Sequence, residues 1–305
     1  MSTTEATADG VCASCGIAGG GDDDTKLKRC GACGLVRYCG LKCQRDHRPE
    51  HKSACKKRVA ELRDELLFKQ PESTHLGDCP ICLLPIPLAT SQHTIRYTMQ
   101  SCCSKVVCDG CIHANSLRES QARLPATCPF CRTPVPHSDA EAERNKMKRA
   151  AVNDPVALGD AGMHRFVVGD YASAIEYWEK AAGLGHVESH YHLSGVYKEG
   201  RGVETNMKKF TYHQEQAVIG GHVFARHNLG LSEERKGNID RAVKHFIIAA
   251  NLGSDVSMEK LKRCYAGGVI SKESFAAVLR AHQAAVDAWK SPQRDAAEAV
   301  NNELS

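Results

Sequence analysis

Fifteen of the sixteen cysteines in this 305-residue chain lie before residue 132. Such density leaves two routes to a stable fold, disulfide staples or metal knots. Met1 to Gly10 is polar and slightly acidic. It lacks the basic start and apolar run of a signal peptide. No stretch approaches the ~18 consecutive apolar residues of a membrane-spanning helix. The expectation is an intracellular, reducing compartment, cytoplasmic or nuclear, and no membrane partner. There, cysteine pairs at short spacing are metal ligands.

Composition then divides the chain. Residues 1–10 form a disordered start and 11–58 a first Cys-rich block. Residues 59–74 are expected as a helical linker, with Val59, Leu62 and Leu66 at helical spacing. Gln70 to Thr74 breaks that helix. A second Cys-rich block spans 75–137 and a charged linker 138–152. Residues 153–290 are rich in Ala, Gly and Leu, and 291–305 are expected as a polar, frayed tail. The fold class is mainly α: two small zinc-stabilised modules followed by an α-helical repeat solenoid.

In the first block the donors are Cys12, Cys15, Cys30, Cys33, Cys39, Cys43, His51 and Cys55. Eight ligands suffice for two tetrahedral Zn²⁺ sites. Cys39/Cys43 and His51/Cys55 stand four apart, so each pair shares a face if helical. The loop from Ile17 to Lys28, with three Gly and three Asp in a row, is free to vary. The block resembles the MYND-type zinc finger over its full length, and Tyr38-Cys39 and Gln44 match its habit. The resemblance implies interleaved binding, with Cys12, Cys15, Cys39 and Cys43 on one zinc and Cys30, Cys33, His51 and Cys55 on the other. It also implies docking of proline-rich peptides, although Arg48 stands where many members carry Trp. No block resembles the methyltransferase domain of some members. From Lys26 to Arg58 there are 11 Lys/Arg against Asp46 and Glu50. These charges solvate a small domain and offset its thiolates. Nucleic-acid binding is the minor alternative.

The second block holds Cys79-x-x-Cys82, Cys102-Cys103, Cys108-x-x-Cys111 and Cys128-x-x-Cys131. On Cys79-Pro80-Ile81-Cys82 and Cys128-Pro129-Phe130-Cys131-Arg132 it resembles the RING finger, a cross-brace module. The resemblance implies one site of Cys79, Cys82, Cys108 and Cys111. The second is irregular. Lys105 falls where the family has a ligand His, and a charged Lys cannot coordinate zinc. Cys102 is the substitute, giving Cys102, Cys103, Cys128 and Cys131. His93, His113 and an empty site are the alternatives, so four zinc ions are expected and three if that site is empty. The resemblance further implies contact with a ubiquitin-conjugating enzyme through Ile81, Pro129 and Arg132. Such ligases form no covalent intermediate, so no catalytic cysteine is expected. As plain structure, Ile81 and Pro129 pack a small core and Arg132 is a solvated charge.

Further on, Ala174 to Gly185 recurs loosely as Lys209 to Gly221 and as Ala242 to Gly253. Each helix pair of such an array cannot bury its own apolar face, so neighbours stack. With Tyr197-x-x-Gly200-x-Gly202-Val203, this resembles the Sel1-like repeat, a tetratricopeptide relative that offers a concave face to protein partners. His186 and His190 have a helical metal spacing but read as surface or packing, and Cys264 reads as a small buried side chain. Three functions follow: a RING-type ubiquitin ligase choosing substrates with its repeats and MYND finger, a non-enzymatic adaptor, or a nucleic-acid-associated regulator.

Overall fold

The structure is a computed structural model, and it describes residues 10–19, 26–88 and 96–303. Residues 1–9 of the segment expected to be disordered, most of the Gly/Asp loop and His93 lie outside the described residues. The chain divides into two units, residues 1–69 and 70–305. The boundary falls where Gln70-Pro71 ends the helical pattern. No helix among the described residues is long and apolar enough to cross a membrane.

The first unit has little regular structure. Strands β1 (Lys28–Arg29) and β2 (Arg37–Tyr38) pair antiparallel, with Lys28 opposite Tyr38. Helix α1 (Leu41–Asp46) and helix α2 (Arg48–Leu67) follow, the second opened by Pro49 in its first turn. The buried set is Cys12, Cys30, Cys33, Val36 and Tyr38. Most of that core is sulfur. α2 runs unbroken through His51 and Cys55 into the segment expected as a separate linker. Val59 and Leu66 are exposed, so the apolar stripe expected there does not form.

The second unit begins with β3 (Tyr97–Met99), paired antiparallel to β4 (Val106–Cys108), and α3 (Asp109–Gln121). Ten further helices follow. They are α4 (Asp139–Ala151), α5 (Pro155–Val167), α6 (Tyr171–Gly183), α7 (Val187–Glu199), α8 (Met207–Ile219), α9 (Val223–Arg235), α10 (Ile239–Asn251), α11 (Asp255–Ala266), α12 (Lys272–Asp287) and α13 (Pro292–Glu303). α5–α6, α7–α8 and α9–α10 pack as hairpins. Side chains of Ser138, Asp154, Asp170, Asn206 and Ser254 cap their helices by accepting from backbone N–H groups. Gly185, Gly221 and Gly253 all turn left-handed just past α6, α8 and α10, with φ of 87°, 82° and 89°. The repeating glycine of the sequence is therefore a turn that only glycine adopts at no cost.

Two hairpins show the packing rule. A Cβ on Gly162 of α5 would stand 2.5 Å from the Trp178 indole of α6, and one on Gly230 of α9 would stand 2.6 Å from Phe246 of α10. A missing side chain on one helix seats an aromatic from the other. Trp178 is buried and donates from Nε1 to Gly159 O at 3.1 Å. Trp178→Ala should remove its packing and orphan that carbonyl, costing about 3–5 kcal/mol. The solenoid's denaturant midpoint should fall accordingly; an unmoved midpoint contradicts this packing.

Two expectations change. α4, expected as a linker, packs Ala150 against Ala157, Leu158 and Ala181, as the first layer of the array. The segment from Pro292, expected as a frayed tail, is α13, which packs on α3. The second Cys-rich block also sits directly on the solenoid. Leu88 is buried with Val223, Ala249 and Leu252, and His75 N–H donates to Gly221 O at 3.2 Å.

Candidate metal centres

One backbone turn recurs four times. After four of the five Cys-x-x-Cys pairs, all but Cys108/Cys111, whose second Cys lies in α3, the next residue is left-handed and its N–H returns to the carbonyl of the first Cys. It is Gly16 to Cys12 (2.9 Å), Gly34 to Cys30 (2.9 Å), Leu83 to Cys79 (2.9 Å) and Arg132 to Cys128 (3.0 Å). The turn aims both sulfurs at one point and directs nearby N–H groups towards them. Leu83 and Arg132 adopt positive φ, 58° and 64°, without being glycine. Non-glycine residues hold that conformation only where their surroundings enforce it.

These turns gather the donors into four groups, in each of which the ligand atoms lie within 4.8 Å of one another. In the first unit Cys12 and Cys15 meet Cys39 and Cys43, with Cys15–Cys39 at 3.6 Å and Cys39–Cys43 at 3.5 Å. Cys30 and Cys33 meet His51 and Cys55, with Cys33 Sγ 3.2 Å from His51 Nε2. The pairs interleave, first with third and second with fourth. In the second unit Cys79 and Cys82 meet Cys108 and Cys111, with Cys79–Cys111 and Cys82–Cys108 both at 3.8 Å. Cys102 and Cys103 meet Cys128 and Cys131, with Cys102–Cys131 at 3.3 Å and Cys103–Cys128 at 3.9 Å. All sixteen cysteines are free, so these are gathered thiols, not disulfides.

The donor chemistry fits zinc. Sulfur and imidazole in fours are its structural ligand set. Four thiolates this close repel one another, and a divalent cation relieves that repulsion. The Cys108 hydrogen bond holds Cys79 down at about 4, whereas burial pushes Cys111 up to about 12.

The adjacent Cys102 and Cys103 both reach the fourth group. Cys103 N–H and Ser104 N–H both turn back to Gln100 O, at 3.3 and 2.8 Å, and Ser104 is left-handed, with φ 57°. The tight turn swings neighbouring side chains to one side. Lys105 Nζ lies over the Phe130 ring, 5.8 Å from its centroid. His113 joins none of the groups. Cys102→Ser should therefore cost one zinc by metal analysis, while His113→Ala and His93→Ala keep the full count. The reverse pattern would reassign the ligand.

Ile81, Pro129 and Arg132 line one groove of about 330 Å³, with Asn115 and Arg118 of α3. Ile81 is 40% exposed. Arg132 Nη1 donates to Asn115 Oδ1 at 2.8 Å, and Arg118 Nη2 donates to the same oxygen at 3.1 Å. Asn115 in turn donates to Thr127 O, and Glu119 accepts from Thr127 N and Oγ1. Buried Asn115 and Glu119 thus staple α3 to the approach of the last cysteine pair. Sequence reasoning missed both, because one polar side chain facing inward leaves no pattern.

A fifth cluster joins His75, Glu188 and His222. Glu188 Oε2 is 2.8 Å from His75 Nε2 and 3.1 Å from His222 Nε2. Ala225 N–H donates to His222 Nδ1 at 3.0 Å. That nitrogen's lone pair is used, so in the neutral ring Nε2 carries the proton and cannot ligate a metal. The cluster is a polar clasp between the second Cys-rich block and the solenoid. Burial would raise the Glu188 carboxyl, but the two histidines hold it well below the usual range. His186 and His190 do not share a site: the first bonds Ser189 Oγ at 2.8 Å and the second His213 Nδ1 at 2.9 Å.

Comparison with known proteins agrees with part of this picture. Residues 12–55 match the family model described as the MYND finger. Residues 12–55 are thus a zinc-binding MYND finger. Among curated proteins no significant match was found. Among solved structures, a Sel1 repeat protein from Oxalobacter formigenes aligns at 19% identity and a TM-score of 0.42, covering 57% of this chain and 71% of that one. A protective antigen of uropathogenic Escherichia coli strains, described as displaying an SLR fold, aligns at 18% identity and a TM-score of 0.41, covering 56% and 37%.

Proposed function

We propose that this chain is a RING-type ubiquitin ligase whose helical repeats and MYND finger bind substrates or partner proteins. A zinc-finger protein carrying a helical repeat array has a protein-interaction role. The finer reading rests on one observation. Ile81, Pro129 and Arg132 share a groove between two interleaved cysteine groups, with an exposed apolar side chain at its edge. An apolar contact of that kind suits a conjugating enzyme. The ligase then holds the charged conjugate in its reactive geometry, with no covalent step of its own. In this reading 11–58 is the MYND finger, 75–137 the RING and 153–290 the substrate-binding repeats. The thiol ligands call for a reducing compartment, cytoplasm or nucleus.

The test is ubiquitin discharge from a panel of charged conjugating enzymes by the zinc-loaded full chain. Discharge by at least one member is expected. None by any member leaves the second reading, a non-enzymatic adaptor, which the exposed Arg48 and the displaced Lys105 favour.

A further inference from the structure

Arg294, in the first turn of α13, has a set of partners without a carboxylate. Its Nη1 donates to Pro85 O at 2.7 Å and to Trp289 O at 2.8 Å. Its Nη2 donates to Leu84 O at 3.2 Å and to Cys82 Sγ at 3.5 Å. Nε is buried without a hydrogen-bond partner. Three carbonyls satisfy N–H groups but do not neutralise a cation. The anion available is the group of Cys79, Cys82, Cys108 and Cys111. Four thiolates around one Zn²⁺ carry a net charge of about −2, since each is deprotonated. A guanidinium in a half-buried position beside that charge offsets it, and the metal site offsets the guanidinium.

Two further features fasten the same helix. A Cβ on Gly110, between the ligands Cys108 and Cys111, would stand 2.7 Å from the Arg294 backbone nitrogen. The start of α13 therefore meets the metal loop backbone to backbone. Arg96 forms a two-pronged pair with Glu298, at 2.7 and 2.6 Å.

We propose that Arg294 is the outer cation of the Cys79/Cys82/Cys108/Cys111 zinc site, so that this zinc and the C-terminal helix hold each other in place. Partners beyond the ligands tune a site's affinity, typically by 10–100-fold. The proposal goes beyond the ligase reading and does not depend on it. If that reading holds, it adds that Ser291, Gln293 and Arg294 form a zinc-dependent wall of the groove that holds Ile81 and Pro129.

The experiment uses the zinc-loaded full chain in a chelator, with cysteine alkylation followed by mass spectrometry to resolve each site. In Arg294→Ala, Cys79, Cys82, Cys108 and Cys111 should be labelled about tenfold faster or more. The cysteines of the other three sites should keep wild-type rates. Arg294→Lys keeps the charge and should lie closer to wild type than to Arg294→Ala. Arg96→Ala loosens the same helix without touching a thiolate, and should change these rates less. The proposal is overturned if Arg294→Ala labels the four cysteines at the wild-type rate, or if all zinc-site cysteines accelerate together. It is equally overturned if Arg294→Lys behaves as Arg294→Ala, or if Arg96→Ala matches it.

Discussion

Chelation of zinc should unfold the first unit while the solenoid stays folded. The buried set of the first unit is Cys12, Cys30, Cys33, Val36 and Tyr38, and Cys43 and Cys55 pack against it. Without metal, those sulfurs change from ligands into clustered groups that must either repel as thiolates or take up protons. Among the described residues the regular structure left is two two-residue strands and two helices, of which α2 buries only His51 and Leu67. Structural zinc binding in such modules is worth about 10–16 kcal/mol per ion at neutral pH, more than a core this small supplies. The solenoid has no such dependence. Trp178, Leu193, Phe246 and Leu261 are buried by one another's helices. Hydrogen exchange in a strong chelator should show protection lost over residues 28–55 and 78–136 and kept over α5 to α10. The untreated chain should contain four zinc ions by metal analysis. Two or fewer, or exchange protection over 28–55 that survives chelation, would contradict the assignment.

What could be read in advance was what is local. His51/Cys55 converge because both stand on α2, where i and i+4 share a face, so their spacing alone carried the message, whereas Cys39 precedes α1 and meets Cys43 from the turn before that helix. The repeating glycine carried the solenoid in the same way: Gly185, Gly221 and Gly253 each sit at a left-handed turn after a second helix. The C-terminal helix was not legible. It is held by Arg294 on the carbonyls of Leu84 and Pro85 and by Glu298 on Arg96, pairs about two hundred residues apart. Among its residues with described side chains, only Ala297 is buried, so it offers no apolar stripe. The clasp of His75, Glu188 and His222 is hidden for the same reason, since three residues on three segments make no period. The stripe at Val59, Leu62 and Leu66 misled in the opposite direction: the spacing is helical, yet two of the three side chains face solvent.

Under the proposed ligase function, Ile81→Ala should abolish recruitment of the conjugating enzyme, and Arg132→Ala should leave recruitment nearly intact while slowing ubiquitin discharge. Ile81 is exposed beside the Cys79/Cys82/Cys108/Cys111 group, and its removal takes away the apolar surface a partner would pack on. Arg132 is differently placed. Its backbone is fixed by the left-handed turn after Cys131, and one arm of its guanidinium is tied to Asn115 Oδ1. A fork with one prong anchored is pre-aimed, and its other donors are available to two partners at once. That suits positioning of the conjugate more than first capture. A tenfold loss of discharge rate corresponds to about 1.4 kcal/mol of transition-state stabilisation, within the range of one charge-assisted hydrogen bond. Asn115→Ala frees the prong without deleting the cation, so it should fall between wild type and Arg132→Ala. Neither Ile81→Ala nor Arg132→Ala should release zinc, because neither side chain is a ligand. Binding measured by titration and discharge measured in single turnover separate the two roles. An active wild type whose Arg132→Ala variant discharges ubiquitin at an unchanged rate would remove the positioning role and leave the recruitment groove. A wild type inert with every conjugating enzyme would make both substitutions silent, as the adaptor reading requires.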